Sequence, residues 1–134
     1  MSNTLCNFAE MITSKVMEKK KKKEWKDFKF NLFGTTWRVH FVDFIPREPD
    51  EHPKYVCYGK TNDNLETITI AKGSPDGDKF SDEKISFTIY HEIVHACLGT
   101  GCYGESNNDE PLVEFMGRCL SSLVKQNVFE YAKE

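Results

Sequence analysis

The sequence predicts an α+β protein in which helices pack on a small antiparallel sheet. Two stretches, residues 28–42 and 55–71, alternate apolar and polar side chains around turn residues, as β-hairpins do. From Phe80 onward the apolar residues recur at helical spacing instead. A chain of 134 residues, of which 39% are apolar and 13% aromatic, has the length and composition of one folded domain.

The N-terminal segment, residues 1–26, is predicted to be an amphipathic helix over residues 3–18 that runs into lysines. Lys19–Lys23 are consecutive, and residues 15–29 hold eight lysines although the whole chain has a net charge of −3. Either this run is a solvated helix end or it contacts an acidic partner or nucleic acid. Residues 27–134 form the predicted core of the domain.

The two predicted hairpins supply the sheet. The first pairs residues 28–32 with residues 37–41 across the turn "FGTT" and has one solvent-facing side. The second pairs Tyr55–Tyr58 with Leu65–Ala71 across "GKTNDN".

Two helices follow the hairpins. Ser81 is a good N-cap for a helix over Asp82–Leu98, which Gly99 and Gly101 are expected to end. A last helix starts near Pro111. Its apolar stripe is formed by Val113, Met116, Leu120, Leu123 and Val124.

The stretch "YHEIVHACLGTG", residues 90–101, carries the candidate chemistry. His91 and His95 are four residues apart and therefore share one face of the helix, and Glu92 lies beside them. This H-E-x-x-H pattern is typical of two zinc ligands and a general base. The rest of this helix is apolar and therefore predicted to be buried, where unsatisfied histidines would be costly. The alternative is a pair of core histidines with a salt-bridging glutamate.

A catalytic zinc site needs a third protein ligand and one open position. Glu114, which lies 19 residues after His95, is the predicted third ligand, and Glu110 is the fallback. The small residue Gly117 would let the last helix approach the histidine helix closely.

The segments "TIYHEIVHACLGTG" and "DEPLVEFMGRCLSSLV" resemble small zincin metallopeptidases of the ImmA/IrrE-like and phage-encoded kind, over about residues 33–130. The resemblance implies a minimal zincin-like fold with Zn²⁺ held by His91, His95 and Glu114. It also implies that Glu92 is the general base in peptide hydrolysis. Arg118 departs from the family pattern, which usually has asparagine or an acid there.

The resemblance also implies where a substrate lies. In zincins an edge strand holds the substrate backbone, and the strand Thr67–Ala71 is expected to have that role. Tyr103 is the preferred donor to the oxyanion. The other candidates are Tyr90, Tyr58 and His52.

Neither the N-terminus nor any apolar run resembles a secretory signal or a membrane span, so a cytoplasmic location is expected, in the host if the protein is phage-encoded. The five cysteines are odd in number and lack a C-x-x-C pair, which argues against a disulfide framework. The competing function is a non-catalytic zincin-fold module that binds a protein or nucleic acid, such as a phage regulatory or anti-defence protein. The intact Glu92 favours the peptidase.

Overall fold

The computed structural model describes residues 24–126. It contains four strands followed by three helices, which confirms the predicted α+β class. The strands are β1 (Phe28–Leu32), β2 (Thr35–Val42), β3 (Gly59–Asn62) and β4 (Thr67–Ala71), and the helices are α1 (Asp82–Thr100), α2 (Gly104–Asn107) and α3 (Glu110–Lys125). The predicted N-terminal helix and the lysine run Lys19–Lys23 lie outside the described residues. No helix within residues 24–126 is long and apolar enough to cross a bilayer.

The first hairpin forms as predicted. β1 and β2 pair antiparallel through a tight turn at Phe33 and Gly34, whose φ angles of 50° and 84° are both positive, as a type I′ turn requires. Trp37 and Val39 of β2 are buried, whereas Arg38 between them is exposed. One face of the sheet therefore packs on the core and the other faces solvent.

The sheet is mixed, so the prediction of a purely antiparallel sheet was wrong. The strand order is β1-β2-β4-β3, and β2 and β4, which join the two hairpins, run parallel. The side chains explain this order. Ile68 and Ile70 of β4 are fully buried, which suits a central strand, whereas β3 has the polar sequence "GKTN", which suits an edge.

The second hairpin is displaced from its predicted position. Residues 55–58, predicted as a strand, form a loop, and β3 occupies four of the residues predicted as a turn. The turn begins later because the Asn62 side-chain oxygen accepts hydrogen bonds from the backbone N–H groups of Asn64 and Leu65.

Helix α1 packs on the buried face of the sheet. Ser81 caps it as predicted, with the Ser81 Oγ accepting from the Lys84 N–H at 3.1 Å. The helix continues two residues past the predicted end and includes Gly99. A Cβ on Gly99 would lie 2.6 Å from the Asp63 carboxylate, so this glycine allows a close approach of the β3–β4 turn. The core cluster consists of Trp37, Val39, Ile68, Ile70, Ile85, Ile89 and Ala96.

Helix α3 packs against α1 along a stripe that differs from the predicted one. Asp109 caps the helix by accepting from the Leu112 N–H. Met116 and Leu123 belong to the predicted apolar stripe, but both are exposed. The buried positions are Val113, Gly117, Ser121 and Val124. The face with the smallest side chains is buried because it permits the closest approach to α1.

Candidate metal centre

His91 and His95 lie one turn apart on the same face of α1, as the H-E-x-x-H spacing predicted. Their ring centroids are 5.1 Å apart, and each side chain is largely buried. Donor atoms of His91, Glu92 and His95 all lie within 4.8 Å of one another. These three residues can therefore contribute to binding a metal ion.

The carboxylate of Glu110, the first residue of α3, contacts both histidines. Its Oε2 lies 3.3 Å from the Nε2 of His91, and its Oε1 lies 3.1 Å from the Nε2 of His95. The short helix α2 reverses the chain direction after α1 and brings the start of α3 to this position. One carboxylate thus spans the two nitrogen atoms that face the same space.

Glu114 lies one turn further along α3 and contacts the other nitrogen of His91. Its Oε2 is 3.0 Å from the Nδ1 of His91, and its Oε1 accepts from the Arg118 guanidinium at 3.3 Å. The Nδ1 of His95 lies 2.6 Å from the side-chain oxygen of Asn107 in α2. Each Nδ1 therefore faces an oxygen acceptor, and a neutral imidazole with its proton on Nδ1 would leave the Nε2 lone pair available to a metal ion.

Arg118 contacts both Glu114 and Phe87. Its guanidinium lies 5.3 Å from the ring centroid of Phe87 while it donates to Glu114. The side chain is 70% exposed, so the ion pair contributes little stability by itself. Its effect is to orient the Glu114 carboxylate towards His91.

Glu92 is buried beside the histidines and is held by β3. Only 5% of the residue is exposed, and its Oε1 accepts from the Thr61 hydroxyl at 2.9 Å. Its Oε2 lies 3.9 Å from the Nε2 of His91. Burial raises the pKa of Glu92, although the Thr61 hydrogen bond and the two histidines oppose the increase. The carboxyl is therefore easier to protonate than an exposed glutamate.

Gly59 at the start of β3 makes this contact possible. A Cβ at this position would lie 2.9 Å from both the Cγ of Glu92 and the Cγ2 of Thr88. The edge strand can therefore lie directly against the Glu92 side chain only because residue 59 is a glycine.

An open cleft of about 460 Å³ contains the site. One wall is the loop of residues 55–59, and the other is formed by α1 together with Glu110 and Glu114. A larger groove of about 690 Å³ between α1 and α3 shares Lys84 and Phe87 with this cleft. The site is thus accessible to an extended ligand.

The structure does not bring Tyr103 into this cleft. The residue is 64% exposed, precedes α2 and is not among the described residues that line the cleft. Tyr90 is buried beside Val124, and burial raises its pKa to about 12. His52 lies on the surface, where its Nδ1 accepts from the Lys54 N–H. Tyr58 does line the cleft.

Strand β4, expected to bind a substrate along Thr67–Ala71, has no open edge. It is paired with β2 on one side and with β3 on the other. A peptide could add to β4 only by displacing one of these strands. The sheet edge next to the cleft is β3, which carries Thr61.

Three residues of the site were missed by sequence reasoning. Asn107 lies in "ESNND", a stretch without periodicity, and nothing in the sequence links it to His95. Thr61 and Gly59 fall in the stretch predicted as a turn. No pattern in the sequence pointed to these three residues as part of the site.

Comparison of the chain with protein-family models, with curated proteins and with solved structures finds no match. The zincin resemblance of residues 88–101 and 109–124 therefore stays a prediction.

Proposed function

We propose that this chain is a zinc-dependent peptidase with a minimal zincin-like fold. His91, His95 and Glu110 hold the metal, and Glu92 is the general base. The observation that carries the proposal is the position of Glu110, whose carboxylate contacts the Nε2 atoms of both histidines. The sequence predicted Glu114 as the third ligand and Glu110 as the fallback. In this proposal Glu110 is the ligand, and Glu114 orients His91.

The donor set fits zinc. Two imidazole nitrogens and one carboxylate, with a fourth position open to the cleft, form the usual ligand set of a catalytic zinc site. Hydrogen bonds from both Nδ1 atoms to Glu114 and Asn107 supply the orientation that metal-binding histidines normally have. Three carboxylates surround these two histidines, and a divalent cation would offset their mutual repulsion.

Zinc in this position would supply Lewis-acid chemistry, lowering the pKa of a water to about 7 and polarising a carbonyl. The protein groups supply proton transfer. Glu92 accepts the proton of the attacking water and delivers it to the leaving amine. Thr61 holds one oxygen of Glu92 and leaves the other directed at the histidine side of the cleft. The raised pKa of Glu92 brings it closer to the pH at which it must both accept and donate a proton.

The edge strand β3 is the proposed substrate-binding strand. An extended peptide that adds to β3 would lie along the cleft between the 55–59 loop and α1. Its carbonyl groups would then pass the space between Glu92 and Glu110. The small size of the cleft favours a specific protein substrate over general digestion.

Metal analysis and a search for cleavage products test this function. Purified wild type, Glu92→Gln and the surface control Glu105→Gln are expected to contain about one zinc per chain. A cell lysate treated with each protein is then labelled at new amino termini. We expect new termini with wild type and Glu105→Gln but not with Glu92→Gln. Zinc without cleavage would favour a binding module, and a lack of zinc affinity would exclude both zinc-based functions.

A further inference from the structure

Peptide hydrolysis places negative charge on the carbonyl oxygen, and hydrogen-bond donors aimed at that oxygen usually supply much of the rate enhancement. If the proposed function is correct, such a donor must line the cleft. The described residues that line it and carry a side-chain hydroxyl, thiol or amine are Tyr55, Cys57, Tyr58, Lys84 and Thr88.

Three of these five groups have other contacts or are poor donors, and the ring of Tyr58 is held between two neighbouring side chains. The Thr88 hydroxyl donates to the Lys84 carbonyl at 2.8 Å, and the Cys57 thiol, a weak donor, faces the Gly59 carbonyl at 3.3 Å. The Lys84 ammonium lies 4.0 Å above the ring of Tyr58. That ring in turn packs on Phe80, with centroids 4.8 Å apart.

We propose that the Tyr55 hydroxyl is the donor that stabilises the oxyanion. Tyr55 lies in the loop that forms the wall of the cleft opposite α1, and it is 46% exposed, so an incoming peptide can reach its hydroxyl. Tyr55 was not among the donors predicted from the sequence, although Tyr58 from the same segment was.

The surroundings of Tyr55 keep its hydroxyl protonated. The nearby Cys57 side chain, when ionised, raises the pKa of Tyr55 most, followed by partial burial and the charges of Glu51, Glu110 and Glu92. A phenol in this environment donates a hydrogen bond to an anion without losing its proton.

The backbone of Tyr55 is anchored on both sides. Its carbonyl accepts from the Nε of Arg47 at 2.7 Å, and its N–H donates to the His52 carbonyl at 2.9 Å. The Arg47 guanidinium also binds Asp76 through two hydrogen bonds of 2.8 and 3.2 Å. Arg47 is therefore a positioning residue that fixes the loop and, through it, the phenol ring.

Hydrolysis moves two electron pairs and one proton between the water, the peptide and Glu92. The water oxygen forms a bond with the carbonyl carbon, and the carbonyl π pair moves to oxygen, where it accepts a hydrogen bond from Tyr55. The water proton passes to Glu92. When the oxyanion reforms the carbonyl, the C–N bond breaks and Glu92 gives its proton to the amine. Tyr55 keeps its own proton throughout.

The first test is the kinetics of Tyr55→Phe on a substrate identified by amino-terminal labelling. We expect kcat to fall by about 100-fold, with KM and zinc content close to those of wild type. Tyr103→Phe, at an exposed tyrosine that does not line the cleft, is the matched control and should keep wild-type kcat. Arg47→Ala should also reduce kcat, but should cause no further loss in the Tyr55→Phe background, because it acts through Tyr55. A normal kcat in Tyr55→Phe would overturn the proposal.

The second test needs no activity. Inorganic phosphate, a tetrahedral oxyanion, is titrated into the Co²⁺-loaded protein and followed by visible absorption. We expect Tyr55→Phe to bind phosphate about tenfold more weakly than wild type and Tyr103→Phe to bind it equally well. Equal phosphate affinity in wild type and Tyr55→Phe would overturn the role of Tyr55 and leave the metal site intact. Failure of the wild type to bind any metal would instead overturn the proposed function itself.

Discussion

Gly117 in α3 lies directly against the backbone of His91 in α1. A Cβ on Gly117 would be 3.2 Å from the Cα of His91 and 3.4 Å from its nitrogen. Glu110, Glu114 and Gly117 are spaced so that they share one face of α3. The close approach at Gly117 therefore sets the distance at which both carboxylates meet the histidine.

We expect Gly117→Ala to weaken both stability and metal binding. Alanine in a helix interior gains about 0.5–1 kcal/mol over glycine, whereas overpacking costs about 1–3 kcal/mol. The cost should dominate here because the contacted atoms belong to the His91 backbone and cannot rotate away. Urea unfolding of the metal-free protein and chelator competition for zinc measure the two effects. Gly104→Ala, where a Cβ meets nothing within 4 Å, is the control and should change neither. A more stable Gly117→Ala with normal zinc affinity would contradict this role.

Glu110→Gln and Glu114→Gln distinguish the two carboxylates. If Glu110 is the ligand, its replacement should weaken zinc binding by more than about 100-fold. Glu114→Gln should weaken binding by only about tenfold, as the loss of a partner that orients a metal-binding histidine does. Chelator competition gives both affinities, with Glu105→Gln as the control. If Glu114→Gln instead weakened zinc binding more than Glu110→Gln, Glu114 would be the third ligand.

Asn107 is predicted to orient His95 through the 2.6 Å contact with its Nδ1. Asn107→Ala should weaken zinc binding by about tenfold, because the ring loses its fixed orientation. Asn107→Asp keeps an acceptor oxygen at the same place and should bind zinc at least as tightly as wild type. The neighbouring substitution Asn108→Ala is the control. Equal affinities for Asn107→Ala and wild type would show that the contact does not orient His95.

The H-E-x-x-H spacing was sufficient to predict the shared face of His91 and His95, because helical periodicity alone places residues four apart together. It could not assign Glu110 and Glu114 to different nitrogens. That distinction depends on which face of α3 points towards α1. The buried residue Gly117 lies on that face, whereas the predicted apolar stripe included the exposed Met116. The contact between Thr61 and Glu92 depends on strand order. β4 lies between β2 and β3, an arrangement that local alternation in sequence does not determine.

Thr61 is predicted to orient the general base without affecting the metal. Thr61→Val removes the hydroxyl that donates to Glu92 and should reduce kcat by about tenfold, with zinc content unchanged. The lost hydrogen bond favoured the charged carboxylate, so the pKa of Glu92 should rise further and the acidic limb of the pH–rate profile should move to higher pH. Thr61→Ser keeps the hydroxyl and should resemble wild type. An unshifted acidic limb in Thr61→Val would count against this orientation.

Glu92 should make the metal-free protein less stable at neutral pH than at acidic pH. Burial raises the pKa of Glu92 in the folded state above that in the unfolded state, so folding binds a proton. Proton uptake by Glu92 therefore adds to the free energy of unfolding. This contribution is complete below the pKa of Glu92 in the unfolded state, and it is lost as the pH rises through the pKa of Glu92 in the folded state. Glu92→Gln cannot ionise and should therefore melt a few degrees higher than wild type at neutral pH. At about pH 3 this advantage should disappear, because Glu92 is then largely protonated in both states.

Thermal unfolding of the metal-free proteins across this pH range measures the effect. Glu105→Gln is the exposed control, and its melting temperature should differ from that of wild type by the same amount at every pH. If Glu92→Gln were instead less stable than wild type at neutral pH, the hydrogen bond from Thr61 and the two histidines would outweigh the cost of burying the charge. The buried carboxylate would then stabilise the fold. That outcome would contradict the expectation that burial of the Glu92 charge destabilises the metal-free protein.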